Sequence, residues 1–186
     1  MMRLVIICCA LALMFGVGGA LAQNDKLPPH LAKYASDGKA LSKRGEAVMR
    51  FFGLKVYDIR LWTQAGVQRD NELFALELVY DVGLSGADIA KRSVEEMRKI
   101  GYTDETKLAG WRESMARVFP DIKQGDSLIG VAVPGKEARF YSKDKFIASI
   151  ADAEFTKAFF GIWLSERTSE PRMRERLLGL KQGITQ

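Results

Sequence analysis

Alternating apolar and polar residues predict strands in the first half of the chain. Between Leu73 and Val82 apolar residues recur at every second position, which is the period of a half-buried β-strand. The stretch from Gly45 to Trp62 is rich in aromatic and β-branched residues, is interrupted by Gly53, and is too long for one ordinary strand. We predict a bent pair or a hairpin there, followed after a turn by the Leu73–Val82 strand.

A helical period replaces this alternation after Ser85. Ser85 and Asp88 have the spacing of a capping box, and the apolar residues that follow form one stripe that ends before Gly101. A second helix, capped by Thr103, ends at Pro120. The two segments predict a pair of helices joined by a short turn.

Strand patterns resume in three runs, at 127–133, 137–141 and 145–150. Pro134-Gly135 predicts a turn between the first two runs, because proline presets φ and glycine accepts a positive φ. Two last helical patterns begin at Asp152 and at Pro171. Strand runs that are segregated from helix runs predict an α+β domain, in which an antiparallel sheet carries its helices on one face.

Residues 1–22 have the three parts of a secretory signal peptide. Arg3 is followed by an uncharged apolar run from Leu4 to Phe15, and the stretch closes with Ala20-Leu21-Ala22. A membrane anchor is the alternative, but the glycines break the helix and the run only just reaches spanning length. We predict cleavage after Ala22, export to the periplasm, and no stable membrane span afterwards.

Cleavage there leaves two further parts. Residues 23–40 are polar and marked by prolines, and we expect them to form an extended lead-in. Residues 41–186 are expected to form one domain that is long enough to bury a sizeable core.

Composition excludes several kinds of chemistry. Both cysteines, Cys8 and Cys9, lie in the predicted signal peptide, which leaves no disulfide, thiolate nucleophile or zinc–cysteine site. The single histidine, His30, lies in the lead-in and is expected to be solvated, so we expect no metal site and no cofactor. The chain has 28 basic and 23 acidic residues, and the basic residues form no single run. We therefore expect no nucleic-acid partner.

Several runs in these patterns have the residues and the spacing of a known family. They include Lys55-Val56-Tyr57-Asp58, Phe119-Pro120-Asp121 and Phe159-Phe160-Gly161-Ile162-Trp163-Leu164. In these runs the chain resembles bacterial chalcone isomerase-like proteins over nearly all of its length after the signal. The resemblance implies an open-faced β-sandwich, a large antiparallel sheet with helices packed on one side. Plant members of that family cyclise chalcones to flavanones, and related plastid members bind fatty acids in the same cleft.

The positions that match the plant enzymes' catalytic residues are changed. The resemblance places Phe52 where the enzymes have a threonine and Arg92 where they have an asparagine, and no tyrosine stands between Leu84 and Ile89. An apolar ring cannot donate a hydrogen bond to an enolate, and Phe52 would also narrow the cleft. We therefore expect no useful chalcone cyclisation, and the sequence favours a binding protein over an enzyme.

Four residues are candidates for ligand binding: Arg44, Arg50, Tyr57 and Tyr80. An arginine can hold a carboxylate or an enolate oxygen through two parallel hydrogen bonds. Either arginine could instead be an exposed strand residue. Either tyrosine could instead be a core residue whose hydroxyl reaches the rim.

Two further arginines are expected to form ion pairs rather than a site. Arg60 can pair with Asp58 on its own strand, and Arg92 can pair with Glu96 one helical turn away on the outer face.

Three functions follow as alternatives. The first is an exported protein that binds a small amphipathic ligand, such as a fatty acid or a related carboxylate, in the family cleft. The second is an isomerase or intramolecular lyase that acts on a chalcone-like enone and uses Tyr57, Tyr80 or an arginine as donor. The third is a non-catalytic structural or partner-binding domain, which a filled cleft would favour.

Overall fold

The computed structural model describes residues 26–34, 40–64, 72–143 and 145–180. The predicted signal peptide and its cleavage site after Ala22 lie outside these residues, so export stays a prediction. Within the described ranges, no helix has the length and the apolar content that crossing a bilayer requires.

A six-stranded antiparallel sheet forms the body of the domain, and each strand pairs with its neighbours along the chain. The strands are β1 (Leu41–Phe51), β2 (Leu54–Gln64), β3 (Phe74–Tyr80), β4 (Ser127–Val133), β5 (Glu137–Ser142) and β6 (Phe146–Ile150). The hairpin predicted over Gly45–Trp62 is the β1–β2 pair, and the three later strand runs are β4 to β6. Both predictions are confirmed.

Four α-helices are described, and they pack against one face of this sheet: α1 (Gly86–Lys99), α2 (Glu105–Val118), α3 (Ala153–Leu164) and α4 (Pro171–Leu178). Ser85 caps α1 as predicted, because its side chain accepts the N–H of Asp88 at 3.0 Å. The α2 cap is Asp104 rather than Thr103, since the Asp104 carboxylate accepts two N–H groups of the first turn. The predicted α+β architecture, an open-faced sheet with helices on one face, is confirmed.

The main core lies between the sheet and these helices and is rich in aromatic rings. Phe140 of β5 and Phe159 of α3 meet edge to face with their ring centres 5.3 Å apart, and Phe119 contacts both. Edge-to-face rings add to the stabilisation that apolar burial supplies. The aromatic residues of α3 are therefore mainly structural.

The opposite face of the sheet is partly covered by the lead-in, which is not extended throughout. Pro29–Tyr34 form a 3-10 helix whose Leu31 is fully buried against Trp62 and Ile129. His30 is not simply solvated, because its ring stacks on Tyr141 with centroids 5.4 Å apart. The expectation of an extended lead-in is wrong for Pro29–Tyr34, because their conformation depends on packing against strands that are distant in the sequence.

Arg60 does not pair with Asp58 as expected. Glu46 and Glu77 stand directly opposite Arg60 on the two neighbouring strands. The Arg60 guanidinium lies 3.4 Å from Glu77 and 3.9 Å from Glu46, while Asp58 pairs with Lys55 at 2.7 Å. Cross-strand neighbours are close in space, so Arg60 pairs with the two glutamates on the neighbouring strands instead of with Asp58 on its own strand.

Candidate ligand-binding cleft

A cleft of about 600 Å³ opens between the sheet and the helices. Side chains from β1 to β5, from α1 and α3 and from the segment before α1 line it, and most of them are apolar: Met49, Leu76, Leu78, Leu84, Ile89, Leu128, Phe140, Phe159 and Ile162. Small-molecule sites are typically about 300–1,000 Å³ in volume and mostly apolar, with a few polar groups that orient the ligand. The cleft has the size and the lining of such a site.

Tyr57 and Tyr80 place two phenol groups on the wall of the cleft. They are direct cross-strand partners in β2 and β3, and their rings meet edge to face with centroids 5.6 Å apart. The Trp163 indole N–H donates to the Tyr57 hydroxyl at 3.0 Å, which leaves the Tyr57 proton for another acceptor. The Tyr80 side chain is only 4% exposed, and its hydroxyl has no hydrogen-bond partner among the described residues.

Burial keeps both phenols protonated. It raises the pKa of Tyr57 to about 12, although the hydrogen bond from Trp163 opposes the shift. Burial also raises the pKa of Tyr80 well above the usual tyrosine range. At neutral pH both hydroxyls are therefore neutral, and they act as hydrogen-bond donors rather than as bases.

Charged groups line the cleft near Tyr57. Glu96 accepts hydrogen bonds from Ser169 and Lys99 and forms an ion pair with Arg92 at 2.6 Å, so this carboxylate is fully matched by donors. Burial raises the pKa of Glu96, but the donors and the two positive charges outweigh burial and hold it below its ordinary value. The network ties α1 to the segment that precedes α4.

The structure brings two of the four predicted site residues together and leaves two outside the cleft lining. Tyr57 and Tyr80 lie side by side in it. Arg44 is the extra residue of a β-bulge in β1, and its guanidinium packs beside Gly179. Arg50 donates to the carbonyl oxygen of Gly53 in the β1–β2 turn at 3.3 Å. Ligand contact by the two tyrosines stays a prediction, and so does ligand contact by the two arginines, neither of which lines the cleft.

Phe52 does not narrow the cleft, contrary to the sequence-based expectation. It occupies the β1–β2 turn with a φ of 46° and is 95% exposed. The argument that its ring favours an acyl chain by restricting the space is therefore wrong.

Glu96 and Ser169 line the cleft, although sequence reasoning did not place them there, and so does Arg92, which the resemblance matched to a catalytic asparagine. Arg92 does pair with Glu96 as expected, but the pair is at the cleft instead of on a purely outer face. One signal pointed to this side of α1, namely Ser93, a polar residue inside an apolar stripe. Ser93 is buried and also lines the cleft.

The described residues form an open-faced α+β sandwich with an apolar cleft between the sheet and the helices. The chain belongs to the chalcone isomerase-like family, whose model matches residues 29–179, and the resemblance seen in its motifs is confirmed.

The chain is also similar to two individual proteins. The crystal structure of a fatty-acid binding protein from Arabidopsis thaliana superposes with a TM-score of 0.56 at 14% identity and covers 77% of this chain and 88% of that one. This likeness shows the fold. A Haemophilus influenzae protein whose name states no function is 28% identical over 136 residues, 73% of this chain. The chain spans 66% of the length of that relative.

Proposed function

We propose that this protein binds a small amphipathic carboxylate, such as a fatty acid, in the cleft. One observation carries the proposal: an apolar cleft of about 600 Å³ contains two phenol donors, and the hydroxyl of Tyr80 has no protein partner within the described residues. This hydroxyl opens on the cleft, where it can donate to a bound molecule. The fold shared with a fatty-acid binding protein supports the same ligand class.

The apolar wall would hold the chain of the ligand. Each methylene group removed from water contributes about 0.8 kcal/mol, so affinity is expected to rise with chain length until the cleft is full.

The tyrosine pair would hold the head group. A carboxylate oxygen can accept from the hydroxyls of Tyr57 and Tyr80 together, and a hydrogen bond to a charged group contributes about 1.5–3 kcal/mol. Arg92 lines the same cleft and supplies a positive charge whose field reaches Tyr57. Asp88 and Glu170 also line it and would repel an anion near them. The head group is therefore assigned to the tyrosines rather than to the charged side chains.

Mass spectrometry under native conditions tests this proposal on protein purified from its own host. We expect a co-purified acyl carboxylate, released on denaturation. We also propose export through a cleavable signal peptide, for which the pattern of residues 1–22 is the support, so the same mass should correspond to a chain that begins at Gln23. A mass that includes Met1 would contradict export without bearing on the ligand.

A binding titration of the protein in solution provides the control for the ligand. A fatty acid should bind more tightly than the alcohol of equal chain length, because only the acid offers a charged acceptor to the two phenols. If neither compound binds saturably and no ligand is co-purified, the cleft is unused. A structural or partner-binding domain would then be the better description.

The tyrosine pair also favours a second candidate, an isomerase or intramolecular lyase that acts on an enone. Two adjacent donors in a dry site can stabilise the oxygen of a developing enolate. With Phe52 outside the cleft, the expectation of no cyclisation rests on Arg92 in the asparagine position and on the lack of a tyrosine over residues 84–89.

We expect no turnover of a simple chalcone above the uncatalysed rate, measured by absorbance. The Tyr57→Phe variant is the control, because the enzyme hypothesis requires that hydroxyl. Turnover by the native protein that this variant abolishes would establish the enzyme instead.

A further inference from the structure

The β1–β2 hairpin ends in an apolar tip, formed by Phe51, Phe52 and Leu54. Phe52 is 95% exposed, Leu54 63% and Phe51 55%. In the described part of the chain five large hydrophobic side chains are exposed, and three of them belong to this one turn. Exposed apolar side chains that cluster in this way mark a contact surface, whereas isolated ones need no explanation.

The backbone of the tip is unfavourable for the residue that occupies it. Phe52 has a φ of 46° and Gly53 a φ of 81°, so both central residues of the turn are in the left-handed region. Such turns favour asparagine followed by glycine, and an aromatic residue rarely adopts this conformation. Phe52 thus combines backbone strain with full exposure of a large ring, and neither contributes to folding. Conflicts of this kind concentrate at functional sites.

The tip is also continuous with the cleft. Phe51 and Leu54 line the cleft, while Phe52 between them is almost fully exposed and meets the Phe51 ring edge to face. A surface that the tip contacts therefore lies next to this side of the cleft.

Basic residues stand on both sides of the tip, Arg50 at the end of β1 and Lys55 at the start of β2. Lys55 pairs with Asp58 and Asp81 at 2.7 and 3.0 Å, whereas Arg50 pairs with no carboxylate of the described residues. Arg50 is exposed beside the tip and donates to the turn at the Gly53 carbonyl. A ring that can enter a bilayer interface, with cations behind it, complements a surface of anionic lipid head groups.

We propose that the hairpin tip docks the protein on an anionic lipid bilayer, with the Phe52 ring inserted at the interface and Arg50 at the level of the head groups. The mouth of the cleft then faces the bilayer, and the amphipathic ligand passes between the two. The docking goes beyond the proposed function, whereas this route for the ligand rests on it.

Co-sedimentation with vesicles tests the docking. Protein purified from its host is mixed with vesicles of phosphatidylethanolamine and phosphatidylglycerol, or of phosphatidylcholine, without added fatty acid. We expect binding to the anionic vesicles that weakens with salt. Phe52→Asn should weaken it about tenfold or more, because the inserted ring is lost. Asparagine suits a positive φ, so this variant should unfold at the same temperature as the native protein or higher.

Phe146→Ser provides the matched control. Phe146 is an exposed phenylalanine of the same sheet, on β6 at the opposite edge from β1, and is 52% exposed. Its replacement should change vesicle binding by no more than about twofold. All variants share one amino-terminus, so a difference among them reports on the substituted side chain.

Three results would overturn the docking: native protein that stays in the supernatant with anionic vesicles, equal binding by Phe52→Asn, or equal binding to the neutral vesicles. A Phe52→Asn variant that instead converts a dimer to a monomer in size-exclusion chromatography would also overturn it, since the tip would then contact a second copy. The ligand is titrated without vesicles and the docking is measured without added fatty acid, so each proposal can fail separately.

Discussion

Replacing Gly45 with alanine is expected to lower the free energy of unfolding by about 3 kcal/mol. Gly45 lies in β1 where α4 packs on it, and a Cβ at this position would overlap the carbonyl oxygens of Arg176 and Leu177. Both oxygens are backbone atoms, so a side-chain rotation cannot relieve the overlap and α4 has to move off the sheet. Leu177 is fully buried, so that movement also exposes apolar surface.

Gly110→Ala is the matched control for this prediction. A Cβ at Gly110 meets no atom within 4 Å, and the residue is exposed in α2. Alanine is favoured over glycine in a helix by about 1 kcal/mol, so this variant should be more stable than the native protein. Urea denaturation of both variants checks the pair, and equal midpoints for the two would contradict the tight approach of α4 to β1.

Tyr80→Phe is expected to weaken the binding of a fatty acid about ten- to a hundredfold and to leave stability within about 0.5 kcal/mol of native. Affinity falls without a loss of stability because the Tyr80 hydroxyl bonds to no described residue, so its removal breaks no hydrogen bond among them. Titration calorimetry with the acid and thermal unfolding without it measure the two quantities. Affinity for the alcohol of the same length should fall less, since an uncharged acceptor gains less from the hydroxyl.

Tyr57→Phe is the informative comparison. It also removes a donor from the cleft, but it leaves the Trp163 indole N–H without its partner, so a stability loss of about 1–3 kcal/mol is expected as well. If Tyr80→Phe binds the acid as tightly as the native protein, the head group does not lie at the tyrosine pair.

Local signals in the sequence were enough to predict the fold. The Ser85 cap, the Pro134-Gly135 turn and the alternation in β3 act between residues close in sequence, and the structure contains each of them. The lead-in is different. Its 3-10 helix depends on burying Leu31 against Trp62, a contact across the sheet that no local pattern reveals.

The site was predictable only in part, for a related reason. Tyr57 and Tyr80 were candidates because both stand in regularly alternating apolar strands, and the structure makes them cross-strand partners that line the cleft. The bulge at Arg44 breaks that alternation in β1, and a shift of one residue moves a side chain to the other face. Arg92 was expected on the outer face of α1, because its direction depends on how α1 is rotated against the sheet.

The order of the strands has a consequence for how the domain assembles. Every pairing joins strands that are neighbours along the chain, but the β3–β4 pairing also encloses α1 and α2, so it closes the longest loop. We therefore expect it to form late, as the step that joins two three-stranded halves. Leu76 and Leu78 of the cleft belong to one half, and Leu128 and Gly130 to the other. A molecule bound in the cleft contacts both halves. It therefore stabilises the β3–β4 pairing, which we expect to open first when the cleft is empty.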